Sequence, residues 1–353
     1  MDAPAGAGRA RRRRGGELPV LSDVARLAGV SDMTVSRVYN EPWRVRAATR
    51  ERVEAAIAQL GYRPNAAARS LNTGRSRTIG VVALNTGLYG PSSTVHAIEE
   101  AARAAGYYVS VASASGTSTE AVRESVQRLL SQGVDGVAIT APFRAATRVV
   151  EELRGAAAVV AAEGLGLKGT VSVSVDQALG ARLAVEHLLE LGHRTVHHIA
   201  GPADWLEAEA RTAGWREALR RARRRTPAPV AGSWQARSGY EATLSLTSRP
   251  GMTALFVAND HMAQGALRAL NEQGLHVPGD VSIVGFDDVP ESAYYLPPLT
   301  TIRQDFAQVG RETVRLLLEQ LAGGRPPALQ DGRFEPLVKP ALVVRSSTAA
   351  PPR

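Results

Sequence analysis

Residues 21–71 read LSDVARLAGVSDMTVSRVYNEPWRVRAATRERVEAAIAQLGYRPNAAARSL, and the rest of the chain is interpreted outward from them. Val24, Leu27 and Ala28 recur at helical spacing, so they share one face of a first helix. Gly29 stops it, as a glycine in the left-handed conformation does. Ser31 opens a second helix as an N-cap whose hydroxyl accepts a backbone N–H. Val35 and Val38 face inward on this helix, while Asp32, Met33, Ser36 and Arg37 point elsewhere. A third helix is predicted over residues 49–60, with Val53, Ala56, Ile57 and Leu60 on one face and Gly61 after it. Helix, glycine turn and capped helix make a helix-turn-helix, whose second helix enters a DNA major groove by its N-terminal end. Residues 64–71 form a fourth pattern, too short to hold alone in water because helix nucleation is costly. Two copies from a dimer, laid in a minor groove, would support one another, with Leu71 as an apolar wedge between base steps.

The chain has 353 residues and a formal charge of +8, a length that implies two or more domains. It has no cysteine, which excludes disulfides and thiolate metal sites and fits a reducing cytoplasm. No apolar run reaches the about 20 residues that span a bilayer. Residues 1–16 are rich in Ala, Gly and Arg, with Arg11 to Arg14 consecutive, but Gly15, Gly16 and Glu17 follow where an export signal would place an apolar core. This arm is read either as a solvated, disordered tail or as a phosphate-binding arm whose affinity falls with salt.

Beyond a short polar linker the pattern changes. Residues 78–84 are a continuous apolar run, suited to a strand buried on both faces. Helix-spaced and strand-like segments then alternate to residue 175, and the alternation begins again after Asp176. The fold class is therefore a small all-α helix-turn-helix head followed by an α/β two-lobed core with parallel sheets and helices on both faces. The arginine-rich run 220–225 reads as a solvated helix end. The Ser, Ala and Pro residues of 346–353 read as a disordered tail.

Open α/β sheets bind ligands beyond the carboxyl ends of their strands, so the residues that follow strands are the candidates. Leu88, Tyr89 and Pro91 follow the first strand, Glu163 a later one, and Trp205, Glu207 and Arg211 the first strand of the second half. Asn259 and Asp260 follow a further strand, then Asp287 and Asp288, then Gln304; Trp234 precedes a helix. Carboxylates, amides and an arginine satisfy paired hydroxyls, and a tryptophan face stacks on the apolar face of a sugar ring. Each residue also has a plainer role: Trp234 in the core, Asp287 capping a helix, Arg211 in a surface pair. Catalysis is not expected. Adjacent Asp287 and Asp288 cannot flank a glycosidic bond at the required separation of roughly 5–9 Å. His193, His197 and His198 lack a carboxylate at metal-ligand spacing, so no metal site is expected.

The segments DVARLAGVS (23–31), TVSRVYN (34–40), GYRPNAAARSL (61–71), VANDHMAQGALRAL (257–270), VSIVGFDD (281–288) and PPLTTIRQDF (297–306) occur in this order. Together they resemble the LacI/GalR family of transcriptional regulators, from residue 21 to about residue 345. The resemblance implies that Asp32, Met33 and Arg37 read bases, that Thr34, Ser36 and Asn40 hold the phosphate backbone, and that Asn65 and Leu71 of a hinge helix join the DNA-binding set. Arg37 suits this role because its fork can bond a guanine edge twice, and Asp32 could accept from a cytosine amine. Leu88, Pro91, Glu163, Trp205, Glu207, Arg211, Trp234, Asn259, Asp287 and Gln304 fall at the effector-binding positions; a lactose-responsive member of the family has Asp where Glu163 stands. The implied layout is a disordered basic arm (1–17), a helix-turn-helix domain (18–63), a hinge helix and linker (64–76), a core (77–345) with the fold of periplasmic sugar-binding proteins, and a disordered tail (346–353). Within the core, the N-lobe takes about 77–176 plus 304–333 and the C-lobe about 177–303 plus 334–345. One departure is structural: Val20 stands where the family puts a threonine cap on the first helix, leaving Ser22 to compensate or the helix end to fray. The implied function is a cytoplasmic, non-enzymatic repressor of carbohydrate-utilisation genes. It would act as a homodimer on a near-palindromic operator, released by a β-galactoside-like sugar, without cofactor or membrane. The alternatives are a purine- or other-metabolite-responsive regulator of the same family, and a sugar-binding protein that does not bind DNA.

Overall fold

The computed structural model describes residues 19–63, 74–84, 87–114, 116–140, 143–153, 158–162, 171–248, 251–324 and 337–352. The basic arm, the hinge helix with Asn65 and Leu71, and Glu163 lie outside the described residues, as does the side chain of Asn40. The chain divides into two compact units, Met1–Ser76 and Arg77–Arg353.

In the first unit, α1 (Leu21–Ala28), α2 (Asp32–Asn40) and α3 (Ala47–Leu60) enclose a core of Val24, Ala25, Ala28, Val35, Val38, Val53, Ala56 and Tyr62. Gly29 and Gly61 end α1 and α3 with φ of 64° and 62°, in the left-handed region that favours glycine. The Ser31 hydroxyl accepts from Thr34 N at 3.2 Å, capping α2. Two expectations are corrected. Leu27 is not part of the inner face: it is 45% exposed, and Ala25 takes its place, because a two-turn helix leaves the angular limits of its apolar stripe loosely set. Val20 is the N-cap and cannot cap with its side chain; instead of Ser22, the Asp23 carboxylate accepts the Val20 N–H at 3.0 Å. One half of a reciprocal capping box thus remains, with an acid well placed against the positive helix end.

The second unit carries two parallel sheets. The N-lobe strands are β1 (Thr78–Ala83), β2 (Tyr108–Ser113), β3 (Gly136–Thr140), β4 (Ala158–Ala162) and β5 (Ser172–Val175), with β11 (Leu337–Val338) at one edge in the order β11-β5-β4-β3-β1-β2. Alternate residues of β1 face opposite ways. Ile79 and Val81 pack with α4 (Tyr89–Ala104) and α11 (Phe306–Leu321), whereas Val82 packs with α5 (Thr119–Ser131) and α6 (Arg144–Glu152). The C-lobe sheet has the order β7-β6-β8-β9, from β6 (His197–Ala200), β7 (Val230–Ala231), β8 (Ala254–Val257) and β9 (Ser282–Val284). One face is covered by α7 (Gln177–Glu190) and α8 (Leu206–Arg221), the other by α9 (Ala236–Thr247) and α10 (Asp260–Glu272). No helix among the described residues is long and apolar enough to cross a membrane.

The chain passes between lobes before α7, after β10 (Thr301–Arg303) and again after β11, where β12 (Ala341–Val343) pairs antiparallel with β10. The third passage lies later than the sequence suggests: Leu337 and Val338 pair with Ser174 and Val175 of the N-lobe sheet, so the C-lobe does not begin at residue 334. The tail is a second correction. Residues 346–352 are fixed along the C-lobe: Ile283 N donates to Ser347 O, Thr300 N to Ser347 Oγ, and Ser282 Oγ to the Ala349 carbonyl. His193, buried, bonds Thr253 Oγ1 with one ring nitrogen and the Ala349 carbonyl with the other. Composition misses this because the segment is held by backbone and hydroxyl hydrogen bonds, not by apolar bulk.

Candidate functional site

Asp32, Met33, Ser36 and Arg37 sit at i, i+1, i+4 and i+5 on α2, and that spacing puts them on one helix face. The opposite face carries Val35 and Val38 into the core. Met33 is 64% exposed, and Asp32 and Arg37 are exposed. Thr34 faces the helix start, its hydroxyl 2.9 Å from Ser31 Oγ. The head therefore presents a short row of side chains held by a core they do not belong to.

The second site lies between the lobes. Every effector-position residue read from the sequence except Glu163 lines one cavity: Leu88 and Pro91 from the start of α4, Trp205, Glu207 and Arg211 from α8 and its cap, Trp234, Asn259, Asp287 and Gln304. Tyr89, Gly90 and Phe306 complete the lining of this narrow cleft, which leaves about 30 Å³ open to the centre of a water-sized sphere.

Arg211 is at the centre and 3% exposed. Its Nε donates to Gln177 Oε1 at 2.8 Å and its Nη1 donates to the Ala258 carbonyl. Nη1 also lies 3.5 Å from Asp287 Oδ1, and Nη2 lies 4.0 Å from Glu207 Oε2. The guanidinium plane covers the Phe286 ring at 3.9 Å, a cation–π contact strengthened by the removal of water. Gln304 donates to Asp287 Oδ1 at 2.7 Å and accepts from Gln177 Nε2 at 2.9 Å, closing a ring of polar groups. Burial pushes the Asp287 carboxyl above its usual range, and Arg211 and Gln304 pull it partly back. Asp287 has φ of 111° and Asp288 of 56°, so this turn is held in backbone conformations that L side chains rarely adopt, and the surrounding bonds must enforce it.

Asn259 caps α10, its Oδ1 accepting from Met262 N at 2.9 Å, and its Nδ2 donates to the Trp234 carbonyl at 3.0 Å. Trp234 is thereby pinned at φ of 70°. Its ring lies edge-to-face with Trp205 at 5.6 Å, and its indole N–H is buried without a hydrogen-bond partner among the described residues. Gly201 lies directly beneath: a Cβ there would come within 2.2 Å of the indole ring. Across the cavity Tyr89 and Phe306 meet edge-to-face at 5.9 Å. The lobes also touch at Phe143, whose backbone bridges Trp205, and through Arg144 to Glu209 at 2.5 Å.

Two neighbouring carboxylates lie outside the cavity wall. Asp288 is gripped by Arg345 and Arg303, each at 2.6 Å. Burial opposes its ionisation, but the two arginines outweigh that and hold its carboxyl below the usual range. Asp260 is fully buried, accepting from Thr301 Oγ1 at 2.6 Å and Val289 N at 3.0 Å. Burial, and then the nearby Asp287, raise its carboxyl well above the ordinary range. His198 is a core residue stacked 4.8 Å from Phe256, and its burial lowers its pKa to about 4. Gln177, Phe286 and Gly201, which hold the cavity's shape, escaped the strand-end reading. They support ligand-facing groups from behind, and nothing in their spacing marks that role.

Comparison with known proteins gives two family matches. Residues 20–65 match "Bacterial regulatory proteins, lacI family" and residues 185–348 match "Periplasmic binding protein-like domain". The chain is 40% identical over 337 residues to the lactose operon repressor of Escherichia coli (strain K12), covering 94% of this chain and 91% of that one. It is 33% identical over 334 residues to the HTH-type transcriptional repressor PurR of Haemophilus influenzae (strain PittEE), covering 94% and 98%. Among solved structures, the lac repressor dimer bound to operator and the anti-inducer ONPF superposes with a TM-score of 0.85 at 38% identity, over 95% of this chain and 100% of that chain.

Proposed function

The chain belongs to the lacI family of bacterial regulatory proteins, and from that premise we propose that it represses carbohydrate-utilisation genes under the control of a small saccharide. It is a DNA-binding transcriptional repressor, not an enzyme. The observation that carries the saccharide reading is the closed polar ring of Arg211, Gln177, Gln304 and Asp287 on a cavity framed by Trp205 and Trp234. Fixed donors and acceptors beside apolar ring faces match a sugar, whose hydroxyls lie around its rim and whose C–H groups cover its faces. A buried site built to bond hydroxyls rejects analogues that lack them. A β-galactoside-like effector is the favoured ligand.

A purine is the second reading, set beside the identity to the HTH-type transcriptional repressor PurR. Against it, both aromatic pairs are edge-to-face, at interplanar angles of 71° and 76°, so the rings of neither pair can sandwich a flat base.

On the DNA side, Arg37, Asp32 and Met33 of α2 read base edges, and Thr34, Ser36, Asn40, Asn65 and Leu71 hold the backbone and minor groove. A homodimer sets two such heads on a near-palindromic operator. Tyr294 and Leu296, 86% and 91% exposed on the C-lobe, are large apolar groups of the kind that a second copy covers. Saccharide binding favours one arrangement of the two lobes, and the shift cannot exceed its differential affinity for the two arrangements.

The test is fluorescence anisotropy of the full-length protein on a duplex selected from a random pool, at physiological salt, with lactose, cellobiose and hypoxanthine as additions. Specific binding weakened by one of the sugars supports the reading. Equal affinity for selected and random duplexes would end it, and a response to hypoxanthine alone would replace the saccharide with a purine.

A further inference from the structure

We propose that the C-lobe carries a nucleic-acid surface of its own: a patch of arginines at the end of α8 holds the phosphate backbone of a DNA duplex other than the operator, without regard to its sequence. Residues 220–225 read RRARRR, and all of them are exposed. Arg221 is paired with Glu217 at 2.5 Å, and Arg182 reaches the same carboxylate at 3.3 Å. Arg220, Arg223, Arg224 and Arg225 have no carboxylate partner among the described residues. Thr195 Oγ1 donates to the Arg225 carbonyl at 2.6 Å, which brings Arg194, exposed and likewise unpaired, to the same place. The remaining acids in the last two turns of α7 alongside are Glu186 and Glu190, so five guanidiniums stand against two carboxylates.

A solvated helix end accounts for part of this run. Cations in the last turn of a helix meet the negative end of its dipole, but that effect falls off within the turn. Arg223, Arg224, Arg225 and Arg194 lie beyond α8. The backbone adds a separate observation. Arg224 N donates to Leu219 O at 2.9 Å and Arg223 N to Arg220 O at 3.0 Å, the closing bonds of a helix end whose penultimate donor must turn left-handed. Gly29 and Gly61 fill that position after α1 and α3, making the same pair of bonds. After α8 the position holds Arg223, at φ of 53°, against the preference of any residue with a β-carbon. Charge is thus kept where the fold favours glycine. A guanidinium free of carboxylates suits phosphate, whose oxygens accept from its planar fork in pairs. An exposed row of them fits a polyanion, and the polyanion that a DNA-binding repressor meets is duplex DNA. Arg194 and Arg225 precede β6 and β7, whereas the cavity borders the opposite strand ends, at Asn259 and Asp287, so the patch is independent of which effector fills the cavity.

The test uses full-length protein whose heads are filled by an excess of the unlabelled selected duplex. Anisotropy of a labelled random-sequence duplex is then followed between about 50 and 200 mM KCl. The wild-type protein is expected to bind this second duplex with a log–log salt slope of about −2 or steeper, at about −0.9 for each phosphate contacted. The combined variant R220Q, R223Q, R224Q and R225Q should lower that affinity at least about tenfold at the lower salt and flatten the slope by about 1 for each arginine that met a phosphate. Its affinity for the selected duplex alone should remain that of wild type. Arg223→Gly relieves the backbone and removes one charge, so its melting temperature should rise while second-duplex binding weakens, a pairing that misfolding cannot produce. Glutamine at Arg11, Arg12, Arg13 and Arg14 of the basic arm should leave second-duplex binding in place. No second duplex on the loaded wild-type protein overturns the proposal, as does a loss seen in the arm variant and not in the patch variant. An Arg223→Gly protein that melts higher and binds the second duplex as before reduces the patch to a solvated helix end. Binding of phosphatidylglycerol vesicles in place of the duplex replaces DNA with a lipid surface.

Discussion

The head and the cavity solve recognition in opposite ways. On α2 the outward residues Asp32, Met33 and Arg37 are exposed and stand on a core built from other residues. In the cavity, Arg211, Asp287, Asn259 and Gln304 are themselves buried and bonded to one another or to the backbone. The first site can change its readout without touching the fold. The second has fused the two, since each of these four groups also satisfies a buried partner. A buried polar network is stabilising only when complete, and a single missing member leaves its partners desolvated and unpaired.

The largest effect expected from this contrast is at Arg211. Arg211→Ala strips partners from Gln177, Ala258 and Asp287 together, and breaking such a buried charge network costs about 3–5 kcal/mol. Urea denaturation followed by far-UV circular dichroism should show that loss along with loss of ligand response. A cost below about 1 kcal/mol would mean that the network is wetter and looser than its geometry, and the contrast would fail. The intermediate effect is at Arg37. Arg37→Ala should weaken binding to a selected duplex by about 1–3 kcal/mol and relax preference at one base pair. Its unfolding free energy should stay within about 0.5 kcal/mol of wild type, as for surface changes generally. A large loss of stability there would erase the distinction between the sites. The smallest effect sharpens the picture of the head. Val20→Thr restores a side-chain acceptor at the start of α1 and should stabilise the head by about 1 kcal/mol, read from its melting curve. No gain would show that Asp23 already satisfies that helix end.

The same contrast explains what the sequence disclosed. The turn at Gly29, the cap at Ser31 and the inward valines of α2 were legible because a helix-turn-helix is a local pattern, fixed by spacing and turn chemistry. Arg211, Asn259, Asp287 and Gln304 were legible because each follows a strand and matches a family position, and the fold gathers them in one cavity. Gln177 and Phe286 were not, because their role is to hold Arg211 from behind, a relation that exists only once α7, α8 and β9 are packed. Leu27 was misread because two turns of helix do not fix the edge of an apolar face. The tail from Ser346 was misread because amino-acid composition reports apolar content, while this segment is anchored through the Ser347 hydroxyl and the Ala349 carbonyl. Distance along the chain hid that anchoring, since Ser347 and Ile283 are 64 residues apart.

Gly201 has a reach wider than its size. With no side chain of its own, it lets the indole of Trp234 settle against bare backbone, so the depth of the cleft on that side is set by a missing methyl group. Alanine at this position would lift the ring and make the cleft shallower while replacing none of the residues that line it. A regulator of this design can thus acquire a new inducer by adjusting a floor that the inducer never touches.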